Sequence, residues 1–371
     1  MNGSKNILNR RMLLVSAAGA GLFSLLPATG RAAAHTGIAA LDTPSIPVKS
    51  PASVLLVAIN RAGNRLVAVG EHGVIIYSDD NGLSWAQGQV PVNVTLTCVA
   101  FATPQLGWAA GHFGVILITS DAGKTWTMQL NGIQANQLTQ QAAQDPAVAS
   151  SACPCAALAL VRAAHFMDEG PDKPFLSMLV LGPQHVMVFG AYRMTMVTTD
   201  GGKSWVDWSL HIYDKFSHNL YGAAVIGADY YLCAEEGLVF CSTDGGNTFL
   251  PLAPTSPVTL FGIMGAGDGS LIVYGVAGTC LRSTDGGQSW TTIALASQDD
   301  VTSGRVLRSG TVLLITEAGA LFKSVDNGAT FTLVPGVTPL PFFDLEEAAD
   351  NALILVGGAG VTRLSETILN S

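Results

Sequence analysis

The chain has 371 residues, of which 49% are hydrophobic and only 12% charged, with 41 glycines. That composition suits many short buried strands and excludes a disordered, charge-rich chain. Lys and Arg number 18 against 27 Asp and Glu. This argues against nucleic acid, which needs Lys and Arg at phosphates, and against an anionic bilayer as direct partner.

The first element is an export signal over residues 1–34. Arg10-Arg11-Met12-Leu13-Leu14 precedes a Gly/Ala-rich apolar run to about Leu26, and Ala32-Ala33-Ala34 offers a small-residue cleavage site. The adjacent arginines and modest hydrophobicity resemble a twin-arginine signal; an ordinary signal with a basic leading region is the plainer alternative. The run is shorter than the roughly 20 apolar residues a membrane span needs. Cleavage near Ala34 removes Lys5, Arg10, Arg11 and Arg31 and no acid, leaving a net charge of −13. The expected location is periplasmic.

Residues 35–371 read as one all-β domain, a seven-bladed propeller. In the first repeat, 54–59, 65–69, 74–77 and 85–90 read as strands A to D, separated by Gly/Asn/Asp turn signals. The C–D connection is Ser78-Asp79-Asp80-Asn81-Gly82-Leu83-Ser84-Trp85. The same word recurs around Asp121, Asp200, Asp244, Asp285 and Asp326, at successive gaps of 41, 79, 44, 41 and 41 residues. An Asp carboxylate accepts from amides at a tight turn, a Gly two residues on supplies positive φ, and the aromatic residue anchors the next strand. These roles are structural, since a catalytic centre needs one unique constellation rather than six copies. Upstream turn glycines keep the rhythm at Gly73, Gly114, Gly237, Gly278, Gly319 and Gly360, with Arg193 in the third place. Seven repeats of about 40 residues with four strands each make a propeller.

The long gap holds an insertion, 131–172, between blades 2 and 3. Residues 134–144 and 155–167 read as helices, and Leu158, Val161 and Phe166/Met167 are expected to pack against the propeller. The last repeat lacks strand D, and Ile46-Pro47-Val48-Lys49 is expected to complete that blade. Six cysteines follow the signal: Cys98, Cys153, Cys155, Cys233, Cys241 and Cys280. Their 15 possible pairings stay open. A Cys233–Cys241 bridge is disfavoured, because counting from the turn pairs Cys233 with Leu238.

Topology assigns two faces. A–B and C–D turns share one; B–C turns, D–A connections and the insertion share the other. The second face is the candidate binding surface: Glu71, His72, His112, Phe113, Tyr192, Arg193, Glu235, Glu236 and Glu317 at turn tips, and Trp208, His211, Tyr213 and Phe216 in the lengthened loop 208–218. Two other readings stand beside it. Glu71, Glu235, Glu236 and Glu317 share this face, and a glycosidase needs two carboxylates about 5–9.5 Å apart. His72, His112, His211 and His218 with Cys153-Pro154-Cys155 lack the paired spacing of a zinc site, so no metal or other cofactor is expected.

The repeated word matches the Asp-box, or bacterial neuraminidase repeat, which sialidases, xyloglucan-degrading enzymes and sorting receptors also carry. The joint pattern of a G-x-x-G turn, a short apolar run and an Asp-box, seven times over with a helical insertion, resembles the photosystem II stability/assembly factor family across about residues 44–366. The resemblance implies a non-catalytic propeller in a periplasm-like or lumenal compartment that binds membrane proteins during assembly. Relatives in non-photosynthetic bacteria are associated with envelope transport, so the implied partner is an envelope membrane protein or transporter, held by a monomer without insertion into the bilayer. Photosynthetic members carry arginines on the binding surface; here only Arg162 and Arg193 fall on the expected face.

Overall fold

The computed structural model describes residues 36–151, 153–253 and 257–370; the expected export signal lies outside the described residues. Six four-stranded antiparallel sheets and one three-stranded sheet follow one another, each with its strands in sequence order. The first blade is Leu56–Ala62, Arg65–Gly70, Ile75–Ser78 and Ala86–Gln87. The A strands of all seven blades line a central channel of about 510 Å³. No helix among the described residues is long and apolar enough to cross a membrane.

Each sheet is buried between its neighbours, and this explains apolar residues on both faces of a strand. Alternate residues of Arg65–Gly70 divide the work. Val67 and Val69 pack toward blade 2 with Leu96, Val99 and Leu117. Leu66 and Ala68 pack toward blade 7 with Ile354 and Val356. Strand A carries a bulge near its start in every blade, as between Leu56 and Ala58 or Leu260 and Gly262. The extra residue turns into the channel, where Val57, Leu176, Tyr221, Phe261 and Phe343 line the wall.

The outer strands are shorter than expected. Strand D of blade 1 is Ala86–Gln87 rather than 85–90. Beyond it the chain leaves its own sheet for the next blade. Gln89 forms a parallel bridge with Thr125, and its carbonyl accepts from Trp126 N–H at 2.9 Å.

The seventh blade has three strands, Phe342–Glu347, Leu353–Gly357 and Gly360–Leu364. Residues 46–49 add no fourth strand to it. They lie instead against the outer strand of blade 1, where Val48 N–H donates to Gln87 Oε1 at 2.9 Å and Gln87 Nε2 to Ile46 O at 2.7 Å. Pro47 lacks the N–H that a ladder requires, and the Gln87 amide satisfies the backbone on either side of it. The chain then passes the seventh turn so closely that a Cβ at Gly360 would stand 2.1 Å from Ala52 O.

Among the described residues three α-helices are present: α1 (Ala39–Asp42), α2 (Gly132–Ala143) and α3 (Ala159–Glu169). The last two lie between strand D of blade 2 (Thr127–Leu130) and strand A of blade 3 (Phe175–Val180). A capping box starts α2: Asn131 Oδ1 accepts from Gln134 N–H while Gln134 Oε1 accepts from Asn131 N–H, each at 3.1 Å. The packing expected of α3 is corrected. Its buried residues are Ala159, Ala163 and Phe166, while Leu158, Val161 and Met167 are exposed. Small side chains let the helices approach, and Asn136 Nδ2 reaches Phe166 O at 2.7 Å and Gly170 O at 3.0 Å.

Cys153 and Cys155 form a disulfide, and Cys98, Cys233, Cys241 and Cys280 are free. Cys233 pairs in register with Val239 rather than Leu238. Leu238 belongs to the turn, where its N–H donates to Glu235 O at 3.1 Å.

Candidate partner-binding face

The C–D turns share one construction. Asp80 Oδ1 accepts from Ser78 Oγ and Ser84 N–H, both at 2.8 Å, and Ser78 Oγ accepts from Gly82 N–H at 2.8 Å. Asp121, Asp200, Asp244, Asp285 and Asp326 repeat it with Thr119, Thr198, Ser242, Ser283 and Ser324. These hydroxyls are buried. The Ser84 hydroxyl and amide and the Ser78 hydroxyl hold the Asp80 carboxyl down to about 2. Each carboxylate is thus engaged within its own turn, which makes it a lock on the fold.

The B–C turns differ in kind. Their tips sit in the left-handed region: His72 (φ 56°), Phe113 (56°), Tyr192 (52°), Glu236 (56°) and Ala277 (55°). Such backbone costs about 1–3 kcal/mol per residue, and strain of this kind clusters at ligand clamps. His72, Tyr192 and Glu236 are exposed at these tips, as are Glu71, His112 and Glu317 beside theirs, while Phe113 is half-buried.

The insertion lies over the same turns. A Cβ at Gly114, in the second turn, would meet Gly132 Cα of α2 at 2.6 Å. Arg162 of α3 donates from Nη1 to Tyr192 O at 3.1 Å, and Phe166 meets the Tyr192 ring edge-on at 6.1 Å. Beneath α3 lies a buried polar network. Thr139 of α2 donates to Asp207 Oδ2 at 2.6 Å, and Arg162 Nη2 stands 4.0 Å from the same oxygen. Arg193 donates from Nη1 to the carbonyls of Ile212 and Asp214. Asp214 in turn accepts from His218 Nδ1 at 2.9 Å. Burial, reinforced by the Arg162 charge beside it, pushes the Arg193 guanidinium down to about 9, against the opposing pull of Asp214 and Asp207. Burial also lowers Arg162. Both sulfurs of the Cys153–Cys155 disulfide face Ile212 O.

Four expected surface residues are therefore corrected. Arg193 is buried with 1% exposure, because loop 208–218 brings two carbonyls to its guanidinium. Trp208 and His211, stacked 3.6 Å apart, lie against the C–D turn of blade 4 instead of the B–C turns. Trp208 Nε1 donates to Gly246 O at 2.8 Å, and His211 Nδ1 is 2.6 Å from Asn247 O. Tyr213 lies near that turn too, lining with His211 and Asn247 a groove between it and the insertion, its N–H bound to Phe249 O at 2.9 Å. The rest of the loop does reach the B–C turns. Phe216, 74% exposed, meets His218 edge-on, and His218 Nε2 stands 3.5 Å from Glu236 Oε2.

Glu235 is a local cap, accepting from Asn219 N–H at 2.8 Å and Asn219 Nδ2 at 3.0 Å. Among the described residues no three His, Cys, Asp or Glu side chains converge as a metal ion would need. The sequence reading missed Asp207, Asp214 and Thr139, which carry no local signal. It also missed the channel residues, which do carry one: each follows the first buried apolar residue of its blade, as Tyr221 follows Leu220 and Phe261 follows Leu260.

No family model matches the chain. Over 70 residues it is 34% identical to the photosystem II assembly lipoprotein Ycf48 of Synechococcus sp. (strain CC9902), a match covering 19% of this chain and 21% of that protein. The chain thus matches about a fifth of that relative's length. Among solved structures, YCF48 bound to D1 peptide superposes with a TM-score of 0.62 at 17% identity, covering 87% of this chain and 99% of that one. A GH74 xyloglucanase from Xanthomonas campestris superposes with a TM-score of 0.60 at 12% identity, covering 85% and 53%. At these identities the structural likeness establishes the propeller fold alone. In 70 residues of sequence and in its seven blades, the chain is similar to the photosystem II assembly factor Ycf48.

Proposed function

We propose that the chain is a non-catalytic binding scaffold, exported to the periplasm, whose B–C-turn face and helical insertion hold a protein partner in the envelope during its assembly. One observation carries this reading. A buried network fastens α2 and α3 over strained turn tips, while Tyr192 and Phe216 remain exposed beside them. Rigid support beneath exposed aromatic side chains is what a protein-binding surface requires. The solved YCF48 carries a bound peptide, which supports a polypeptide ligand for a similar scaffold.

Affinity capture from the envelope tests it. The intact chain is expected to retain a membrane protein that is lost from a chain lacking residues 133–170 and from Tyr192→Ala/Phe216→Ala, each checked for folding by thermal melting. Equal capture by all three removes the reading. Export is tested by sequencing the N-terminus of periplasmic protein, expected near residue 35.

A glycoside hydrolase is the second reading, favoured by the xyloglucanase-like fold. Glu235 is committed to Asn219, which leaves it poorly placed as a catalytic acid or nucleophile. Hydrolysis of xyloglucan or chromogenic glycosides, abolished by Glu236→Gln, would replace the scaffold reading.

A further inference from the structure

Around α3 the candidate face combines exposed apolar side chains with uncompensated acid. Leu158, Leu160, Val161 and Met167 are all exposed on or beside the helix. Leu160 and Met167 are seven positions apart and so share one flank of the helix, and exposed apolar side chains that cluster in this way mark an interaction site. The surface is continuous with the fourth blade's turn. Tyr192, against Phe166 of α3, donates its N–H to Asn219 Oδ1 at 2.8 Å, and Asn219 binds Glu235. Glu236 follows, with His218 and Phe216 at its side.

The charges around this surface are mostly acidic. Asp168, Glu169, Asp172, Glu235 and Glu236 border it, against Lys173 and Lys215. Lys173 is spent: its Nζ sits 2.7 Å from both Glu169 and Asp172. Of the two arginines of the region, Arg193 is buried and Arg162, on α3, turns its side chain inward; both are bound to carbonyls. No guanidinium there is presented to a ligand, and the exposed Asp168 and Glu236 at the rim repel an acidic one.

Resting on the scaffold reading, we propose that this face docks a cationic, apolar-bearing polypeptide segment, one in which Lys or Arg alternates with large apolar side chains. The apolar side chains seat against Met167, Tyr192 and Phe216. The cations meet Asp168 and Glu236, with acidic segments rejected by the same carboxylates.

The test uses the mature chain and two fluorescent 15-residue probes of equal apolar content, one with lysines at its polar positions and one with glutamates. Anisotropy is expected to show binding of the lysine peptide, weakened about tenfold by Asp168→Lys/Glu236→Lys and by salt raised from about 50 to about 300 mM. Phe216→Ala should weaken it as well, and Glu366→Lys, at the chain's far end, should not. Binding of the glutamate peptide, lost in Phe216→Ala, would overturn the cationic assignment and leave the scaffold reading standing. Lysine-peptide binding that Glu366→Lys weakens as much as the rim variants would overturn the site. Failure of both peptides to bind, with partner capture intact, would also overturn the proposal; failure with capture insensitive to loss of residues 133–170 would remove both readings.

Discussion

Arg363 of the last blade donates from Nε to the backbone oxygen of Asn81 in the first, 2.9 Å away and 282 positions distant in sequence. Its Nη2 is held 2.6 Å from Asp350. The arrangement recurs at two other junctions. Arg65 reaches Ala122 O at 3.0 Å while paired with Asp79, and Arg282 reaches Asn327 O at 2.9 Å while paired with Asp268. In each case the acceptor is the residue after the turn's Asp, in the left-handed region at φ 57–61°. It lies outside the ladder, so its carbonyl needs a donor from elsewhere. Neighbouring blades are thereby joined turn to turn.

At the first and last blades this bond spans a seam that no continuous strand crosses. Arg363→Ala is expected to cost about 1 kcal/mol, since the ion pair is partly solvated and a charge-assisted bond to a carbonyl is modest in water. Calorimetry should show a lower Tm, and hydrogen exchange should quicken in Leu56–Ala62 and Phe342–Glu347 before the other blades. Arg282→Ala, at a junction crossed by the chain, should lower Tm with no such localisation. An unchanged Tm in Arg363→Ala would remove the seam from the account.

The six turn carboxylates make stability depend on acid. Hydrogen bonds from Ser84 hold Asp80 at about 2, and those from Ser324 and Thr330 do the same for Asp326. The ordinary unfolded value is about 3.9. Because the folded values lie lower, the stabilisation is complete above about pH 4 and is lost as pH falls through about 2. Denaturant midpoints should drop across that window. Asp80→Asn and Asp326→Asn should start lower at pH 7 and fall less steeply. Asp244→Ala should lower Tm while leaving partner binding by the folded protein unchanged; lost binding at unaltered Tm would give that turn a direct role.

The blades were legible because their signal is local. A buried hydroxyl, a carboxylate and a glycine at fixed spacing close a turn whatever surrounds it, so six turns in register position the sheets. Even so, the residue after Asp also takes positive φ, as at Asn81 and Ala122, which the Gly-Gly pairs at 201–202, 245–246 and 286–287 had already signalled. The face was harder to read because neighbours decide it. Arg193 occupies a glycine position, and nothing nearby in sequence foretells that loop 208–218 supplies carbonyls to bury it. In α3, apolarity alone pointed Leu158 and Val161 inward, whereas close approach of α2 selected Ala159 and Ala163.

Asp207 is the residue whose removal should free the insertion. It accepts from Thr139 and from Ser209, and it lies beside Arg162. Asp207→Ala leaves a buried guanidinium with less compensation, expected to cost about 3 kcal/mol. Hydrogen exchange should rise across 132–169 and stay unchanged in the blades far from it. Asp207→Asn, which keeps an acceptor but removes the charge, should lie between. Uniform destabilisation of all blades would show that the insertion is an integral part of the propeller core.

The cysteines give a count that chemistry can check. Burial pushes the Cys98, Cys233 and Cys280 thiols up to about 12, and it raises Cys241 as well. At pH 8 almost no thiolate forms, and the thiolate is the reacting species. Native protein should therefore resist iodoacetamide for hours. Unfolding in denaturant without reductant should release four reactive thiols, and reductant should raise the count to six, the added pair being Cys153 and Cys155. Rapid native labelling at Cys98, which lines the channel, would mean that the bore admits solvent and reagent to that sulfur. Six thiols before reduction would mean that Cys153 and Cys155 are not joined, and the insertion's anchoring would then rest on Asp207 and Arg162.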